Sequence, residues 1–230
     1  MIMKQNIRKT TSGNMATWLP CCLVTLLLCY FATSCTSESY ETGDGRYSYL
    51  RTDYVEVHTS KPKQIDYAIS DRDERIAFKE AFAVKWAEKA DTIYRALLYY
   101  NRTPDGNKPI LVQPIYVLQP KEAESVEKPK TDPVGFESAW LSENGRYLNL
   151  VFNVKTGKAD DEKARQTIGI MSENLPDGTL RLTLLHGQEN VPQYYSTRIY
   201  ASIPMQDISQ RLLLSVNTYD GLVERAFNTE

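Results

Sequence analysis

Cysteine is missing from this 230-residue chain after position 35. The four cysteines all lie near the start, at Cys21, Cys22, Cys29 and Cys35. The part of the chain that follows therefore has no disulfide, no thiolate nucleophile and no cysteine-bound metal. It must be stabilised by its hydrophobic core, which a segment of this length can supply.

Histidine is almost as scarce, because the chain contains only His58 and His186. A zinc site needs three or four nitrogen or sulfur ligands, which two separated histidines do not provide. A catalytic triad would need His186 beside an acid such as Glu189 and a suitably placed serine, and no G-x-S-x-G motif occurs. The Walker loop and the dinucleotide fingerprint are absent as well. We therefore predict no enzyme activity, no metal site and no cofactor.

An excess of positive charge is also lacking. The chain has 27 basic and 29 acidic residues, a net charge of −2. Three basic residues and no acid precede Cys35, so the rest of the chain has 24 basic and 29 acidic residues and a net charge of −5. This balance argues against nucleic acid as a partner and against electrostatic docking on anionic lipid.

The first 34 residues have the pattern of a secretory signal peptide. Lys4, Arg8 and Lys9 precede a nearly unbroken apolar run over 18–31, and the residues at 32–34 are small. A basic start, a short apolar stretch and small residues are typical of such signals. The alternative, an uncleaved membrane anchor, is disfavoured because a transmembrane helix needs about 20 apolar residues.

The residues Ala32-Thr33-Ser34-Cys35 resemble a bacterial lipobox, in which the cysteine is acylated and begins the mature chain. Ala32 replaces the usual leucine, and Ala32-x-Ser34 would also suit ordinary signal peptidase, which would leave Cys35 as a free thiol. We predict lipidation of Cys35, because a single unpaired cysteine is unusual in a secreted protein. The polar segment 35–45 then acts as a flexible tether between the lipid and the first domain.

The segment 46–118 predicts a first β-domain. Gln64 to Ser70 alternates, with Ile65, Tyr67 and Ile69 on one face, and predicts a strand. The segment 76–89 fits both a helix and two short strands, and its neighbours favour strands. Segment 119–134, QPKEAESVEKPKTDPV, is rich in proline, lysine and glutamate and predicts a linker.

The segment 135–230 contains seven short alternating stretches separated by turn signals such as Asn144-Gly145. One of them, 147–154, places Leu148, Leu150, Phe152 and Val154 on one face. Seven such strands in under 100 residues predict an antiparallel β-sandwich.

Several stretches of this second domain resemble one family. They are WLSENGRYLNLVFNVKTG, GTLRLTLLHGQ, YYSTRIYASIP and LLLSVNTYDG. Together they resemble the C-terminal half of the NigD-like lipoproteins, and ADTIYRALLYYN in the first domain resembles the central strand of the family's OB-type barrel. The resemblance implies an all-β chain, with a small OB-type barrel at 46–118 and an immunoglobulin-like sandwich at 135–230.

The same resemblance implies a function class. We therefore expect a non-enzymatic, lipid-anchored protein of the cell envelope, in the outer membrane, that binds another protein. The family name comes from a bacteriocin operon in which such a protein is a proposed immunity factor. No catalytic residues are implied. The alternative is a surface lipoprotein that binds glycans. The fifteen tyrosines are the observation that suggests this alternative.

One strand carries a candidate partner surface. In 194–203, alternation places Ile199 and Ala201 towards the core and Arg198 and Tyr200 on the opposite face. Tyrosine and arginine are residue types that carry interface energy. We therefore predict that Arg198 and Tyr200 contribute to a site for a protein partner.

Overall fold

The computed structural model describes residues 50–103, 106–159, 161, 163–205 and 211–228. They belong to one compact unit, Arg46–Glu230. The predicted signal peptide, the lipidation site Cys35 and the tether lie outside the described residues. Within the described ranges, no helix is long and apolar enough to cross a bilayer.

β-Strands account for nearly all of the regular structure in this part of the chain, together with one 3₁₀ turn, Ala123–Ser125. The first strands are β1 (Leu50–Lys61), β2 (Gln64–Ser70), β3 (Arg75–Ala83), β4 (Thr92–Thr103), β5 (Gly106–Pro114), β6 (Tyr116–Val117) and β7 (Pro120–Glu122). The others are β8 (Gly135–Leu141), β9 (Tyr147–Thr156), β10 (Thr167–Asn174), β11 (Leu180–Gly187), β12 (Tyr195–Pro204), β13 (Leu212–Thr218) and β14 (Gly221–Phe227). The predicted all-β fold is confirmed.

Strands β1 to β5 form a closed barrel in the order β1-β2-β3-β5-β4, as expected for the OB-type domain. Inward-facing residues of alternate positions fill it, among them Val55, Val57, Ala96, Leu98 and Tyr100. The antiparallel pair of β1 and β4 is long and regular. By contrast, β3 and β5 close the barrel through a single residue pair, Phe78 and Asn107.

Two details of the barrel refine the sequence predictions. The ambiguous segment 76–89 begins as strand β3, because it pairs with β2, and continues without regular structure after Ala83. In β2 the register shifts between Ile65 and Tyr67, so that Ile65 and Ala68 are the buried core residues. The predicted common face of Ile65, Tyr67 and Ile69 is interrupted because a bulge reverses the alternation.

Strands β6 to β14 form the predicted sandwich. One sheet has the order β14-β13-β11-β10-β7 and the other the order β6-β12-β9-β8. Most pairs are antiparallel, whereas β6 with β12, β7 with β10 and β11 with β13 are parallel. Fully buried Leu148, Leu150, Phe152, Leu182 and Leu214 lie in the core between the sheets.

The segment predicted as a linker, 119–134, contributes to the sandwich. β7 pairs with β10, Thr131 forms a bridge with His186, and Val134 forms one with Thr218. Just before it, β6 pairs with β12 in the opposite sheet. The reason is that main-chain hydrogen bonds do not require apolar side chains, so a polar segment can complete a sheet edge.

Candidate functional site at the joint between barrel and sandwich

The outer surface of barrel strands β1 and β4 packs on the outer face of the β6-β12-β9-β8 sheet, and we call this contact the joint. Alternation turns Leu97 of β4 away from the barrel core and Val151 of β9 away from the sandwich core. Both are nonetheless buried, and neither belongs to one of the two core clusters. The joint therefore excludes water from apolar side chains as a small third core.

Arg95 of β4 is the polar centre of the joint, and its side chain is 2% exposed. Its Nη1 and Nη2 donate to the two carboxylate oxygens of Asp71, at 2.6 and 2.8 Å. Nη2 also donates to Asn149 Oδ1 at 3.0 Å, and Nε donates to Ser202 Oγ at 3.1 Å. The guanidinium lies 4.0 Å from the ring centre of Tyr147. The buried charge is thus paired in a bidentate fork and fully hydrogen-bonded.

A second network connects the β2–β3 turn with the β8–β9 hairpin. Arg146 binds Glu56 at 2.9 Å and also Asp73, while the Tyr147 hydroxyl donates to Glu56 at 2.6 Å. Burial, together with the hydrogen bond to Glu56, raises the pKa of Tyr147 to about 12. The main-chain nitrogen of Asn144 donates to the Asp71 carbonyl at 2.9 Å. Barrel and sandwich are therefore connected by two separate networks, which include both side-chain and main-chain hydrogen bonds.

Tyr54 of β1 inserts its ring into the joint. The ring makes edge contacts with Trp140 and Tyr200, at centroid distances of 5.1 and 6.4 Å. Its hydroxyl is buried without a hydrogen-bond partner among the described residues. Burial raises the pKa of Tyr54 well above its ordinary value.

A cleft of about 180 Å³ opens where the joint reaches the surface. Its lining includes Asp53, Tyr54, Arg72, Trp140 and Glu143. Trp140 is 37% exposed. Arg72 of the barrel forms an ion pair with Glu143 of the sandwich at 2.8 Å. An exposed aromatic surface beside charged hydrogen-bonding groups can contact a ligand that has both apolar and hydroxyl-bearing faces.

Arg198 and Tyr200 lie on the face of β12 that alternation predicts, opposite the buried Ala201. That face is shared with the joint, because Tyr200 contacts Tyr54 and is only half-exposed. Arg198, whose side chain is 55% exposed, donates to Glu137 at 3.0 Å and lies beside Tyr200. The two residues therefore sit together at the open margin of the joint.

Tyr99 extends this margin from the barrel side. It is half-exposed on β4 and lies beside Tyr200. Burial, and then the neighbouring Tyr200, raise the pKa of Tyr99. We call Tyr99, Glu137, Arg198 and Tyr200 the margin surface.

The two histidines are far apart in the fold. His58 on β1 bonds Asp66 at 2.8 Å and stacks on Tyr67, whereas His186 on β11 is buried with Nδ1 3.1 Å from the Asp132 carbonyl oxygen. Among the residues that the structure describes, no three His, Cys, Asp or Glu side chains are grouped to hold a metal ion.

The residues at the centre of the joint were missed in the sequence. Asp71 lies in the turn between β2 and β3, and Asn149 lies on β9 on the face opposite its apolar core residues. Arg95 offered the available signal, because it is the one charged residue in the otherwise apolar and aromatic stretch TIYRALLYY. A charge on a strand face of that composition needs a buried partner.

Comparisons with known proteins agree with this architecture. The model of the NigD-like C-terminal beta sandwich domain matches residues 114–228, half of the chain. It thus begins upstream of residue 135, where the sequence placed the second domain, and includes β6 and β7. No curated protein matches the chain.

Three solved structures share the fold. A NigD-like immunity protein from Bacteroides caccae is 19% identical, with a TM-score of 0.59, covering 78% of this chain and 97% of that one. A protein of unknown function from Bacteroides vulgatus is 13% identical, with a TM-score of 0.61 and coverages of 79% and 91%. A protein from Parabacteroides distasonis that is named as toxin-related is 16% identical, with a TM-score of 0.54 and coverages of 79% and 94%. At these identities the likeness concerns the fold.

Proposed function

This chain belongs to the NigD-like family, and we propose that it is a non-enzymatic, lipid-anchored protein of the cell envelope that binds a protein partner, in the manner of a bacteriocin-immunity lipoprotein. The observation that carries the proposal is the margin surface, where two tyrosines and an arginine from both domains meet. A solved relative in fold bears the name of an immunity protein, which agrees with this function.

The margin surface has the composition of a binding hot spot. Tyrosine and arginine dominate the energy of protein interfaces, especially when their side chains are already held in place. Here Glu137 accepts a hydrogen bond from Arg198, and Tyr200 lies beside both Arg198 and Tyr99 of the barrel. A partner would therefore meet side chains that lose little further freedom on binding.

Photocrosslinking in living cells tests the partner site. A photoreactive phenylalanine derivative in place of Tyr200 should give a discrete adduct with one protein, and Arg198→Glu should abolish that adduct. The same derivative in place of Leu222, which is 65% exposed on the far sheet, is the control. Equal adducts at both positions, or none at position 200, would remove the margin surface as the partner site.

The proposed anchor is tested at Cys35. Radiolabelled palmitate should be incorporated into the wild-type chain and not into Cys35→Ala. Fractionation should place the wild type in the outer membrane and release the variant from it. Equal labelling of both chains would contradict a lipid anchor at Cys35.

A second candidate function is glycan binding, and the joint cleft favours it. Trp140 offers an exposed ring, and Asp53, Arg72 and Glu143 surround it with donors and acceptors of hydrogen bonds. A sugar has apolar C–H faces and a rim of hydroxyls, so it can stack on the ring and bond to these groups at once.

A glycan array separates the two candidates. Binding that is lost in Trp140→Ala and retained in Arg198→Glu would support glycan recognition at the cleft. Neighbouring genes provide an independent test of the biology. A bacteriocin exporter beside the gene would support immunity, and a polysaccharide locus would support glycan binding.

A further inference from the structure

A cavity of about 610 Å³ lies away from the joint, in the second domain. On one side it is lined by 125–130 and on the other by strands β10 and β11. We call residues 123–130 the strap. It begins after β7 at the edge of the sheet and ends where the Lys130 carbonyl accepts the main-chain hydrogen of His186 on β11.

The floor of this cavity is the outer face of the sheet. Gly169 of β10 is paired with Leu185 of β11, and both line the cavity. Their neighbours Ile170 and Leu184 belong to the sandwich core, although Ile170 also reaches the cavity wall. The strap therefore crosses over β10 and β11, and the cavity is the space between the strap and the sheet.

Gly169 gives the cavity its depth. A side chain built at this position would meet nothing closer than Leu185 Cβ, at 4.0 Å, so the backbone does not require a glycine for lack of room. A glycine inside a strand weakens it and marks places where a ligand or another backbone approaches closely. The position thus leaves open a space that almost any other residue would fill.

The charged residues of the cavity wall have a small excess of lysine. Lys121, Lys128 and Lys130 line it, together with Glu127 and Glu189. Lys130 is bound to Glu189, whereas Lys121 and Lys128 form no ion pair with any residue that the structure describes. Lys121 and Lys128 outnumber Glu127, the remaining lining charge without an ion pair among the described residues, and this excess favours an acidic occupant.

Main-chain groups also face the cavity. β7 pairs with β10 only from Ile170 onward, and the preceding residues of the chain pair with β12 in the other sheet. Thr167 and Ile168 therefore have no strand neighbour on that side, although both line the cavity. A free strand edge is satisfied best by an extended peptide, which brings its own main-chain donors and acceptors.

We propose that the cavity under the strap binds an extended, acidic peptide segment of a partner protein. Its apolar side chains, Leu185 on the floor and Val126 on the strap, accept the uncharged side chains, and Lys121 and Lys128 pair with the acidic ones. Its volume lies within the roughly 300–1,000 Å³ of known ligand sites. This site is separate from the margin surface, and the inference does not depend on the function proposed above.

Fluorescence anisotropy with the full chain in detergent tests the proposal. The probe is a short fluorescein-labelled peptide of alternating glutamate and valine, and the comparison peptide has lysine in place of glutamate. We expect saturable binding of the acidic probe only. Lys121→Glu/Lys128→Glu should weaken it about tenfold or more at low salt, because two favourable charges become repulsive.

Matched variants separate the cavity from general charge effects. Lys61→Glu/Lys79→Glu makes the same charge change on exposed barrel positions and should leave probe binding nearly unchanged. Gly169→Leu fills the floor and should abolish binding, while Gly169→Ala should reduce it less. Tyr200→Ala should have no effect. Melting temperatures of all variants report whether each one folds.

Three results would overturn the proposal. They are no saturable binding of the acidic probe, equal binding of the lysine peptide, and binding unchanged in Lys121→Glu/Lys128→Glu. If oleate binds in a manner that Gly169→Leu abolishes while the peptide does not bind, the cavity takes a lipid carboxylate and the peptide assignment is wrong.

Discussion

At the scale of single residues, Arg95 and Tyr54 are two buried polar groups that differ in whether they have hydrogen-bond partners. Arg95 is buried with four hydrogen bonds and a bidentate carboxylate partner. Tyr54 has a buried hydroxyl that has no partner among the described residues. Removing one partner of a buried ion pair is strongly destabilising. A buried hydroxyl without a hydrogen-bond partner instead lowers the stability of the folded protein in which it is present.

Removing one partner of the Arg95–Asp71 pair should be strongly destabilising. We expect Arg95→Ala to lower the free energy of unfolding by about 3–5 kcal/mol, because Asp71 is left as an uncompensated buried charge. Arg95→Ala/Asp71→Ala should cost less than the sum of the single variants by about 1–3 kcal/mol. Denaturant titrations measure both. The control is Arg72→Ala, whose pair with Glu143 is exposed to solvent and should contribute little to stability.

Two tyrosine-to-phenylalanine changes should differ in sign. Tyr54→Phe removes the unpartnered hydroxyl and should leave the melting temperature equal or higher. Tyr147→Phe removes a hydrogen bond to the Glu56 carboxylate and should cost about 1–3 kcal/mol. A loss of stability in Tyr54→Phe as large as that in Tyr147→Phe would mean that the Tyr54 hydroxyl is bonded.

At the scale of the elements, the barrel has one strong and one weak seam. β1 and β4 are paired continuously from Leu50 to Thr59, and their outer side is covered by the sandwich. β3 and β5 meet through one residue pair, supported by a hydrogen bond from Asn107 to the Ala77 carbonyl at 3.2 Å. Local opening free energy follows how many buried contacts and main-chain bonds a segment has.

Hydrogen exchange should therefore locate the weak seam. Amide protons of β3 and of the Asn107 end of β5 should exchange much faster than those of β1 and β4. Mass spectrometry of peptides from exchanged protein measures this difference. Comparable protection in all five strands would show that the barrel opens only as a whole.

At the scale of the whole molecule, the joint couples the two domains. Two polar networks connect the barrel to one sheet of the sandwich, and Leu97 of the barrel and Val151 of the sandwich are each buried outside the two domain cores. Interfaces that hold buried, specific contacts make the domains unfold together, whereas a flexible linker would let them unfold separately.

Calorimetry should reveal this coupling. We expect one heat-absorption peak for the wild-type chain and two for Arg95→Ala, with the barrel unfolding separately from the sandwich. Arg72→Ala should keep a single peak, since it changes only an exposed contact of the same joint. Two peaks in the wild type would mean that the joint is too weak to couple the domains.

The same joint should make the molecule sensitive to alkali. The pKa of Tyr147 is raised to about 12, and burial also raises the pKa values of Tyr54 and Tyr100. Unfolded tyrosine has a pKa of about 10, so between about pH 10 and 12 the unfolded chain loses protons that the folded chain keeps. The stabilisation that results from these raised tyrosine pKa values is fully present below about pH 10. It is lost as the pH rises through about 12.

Denaturant titrations between pH 9 and 12 measure this loss. Tyr147→Phe should show a shallower decline than the wild type over that interval, because it has no phenol at this position to ionise. An identical decline in both proteins would mean that Tyr147 does not contribute to the linkage.

The alternation of apolar residues was sufficient to predict much of the fold. Strand Gln64–Ser70, the sandwich core face of β9 and the orientation of Arg198 and Tyr200 all follow from a period of two, which is a local property. The stretches of the second domain also identified the family. The bulge in β2 was not predictable, because it depends on pairing with β1 and β3 rather than on β2 itself.

By itself, then, the sequence determined an all-β chain with two domains and the direction in which most side chains point. Only the tertiary structure decided what those side chains meet. Arg95 and Ser202 are 107 positions apart, Asp71 and Asn149 are 78 positions apart, and no local pattern relates the four residues of this network. The strap likewise joins the sheet through main-chain bonds, which leave no trace in side-chain composition. Contacts between distant segments depend on how whole elements pack, because burial and pairing are properties of the assembled fold.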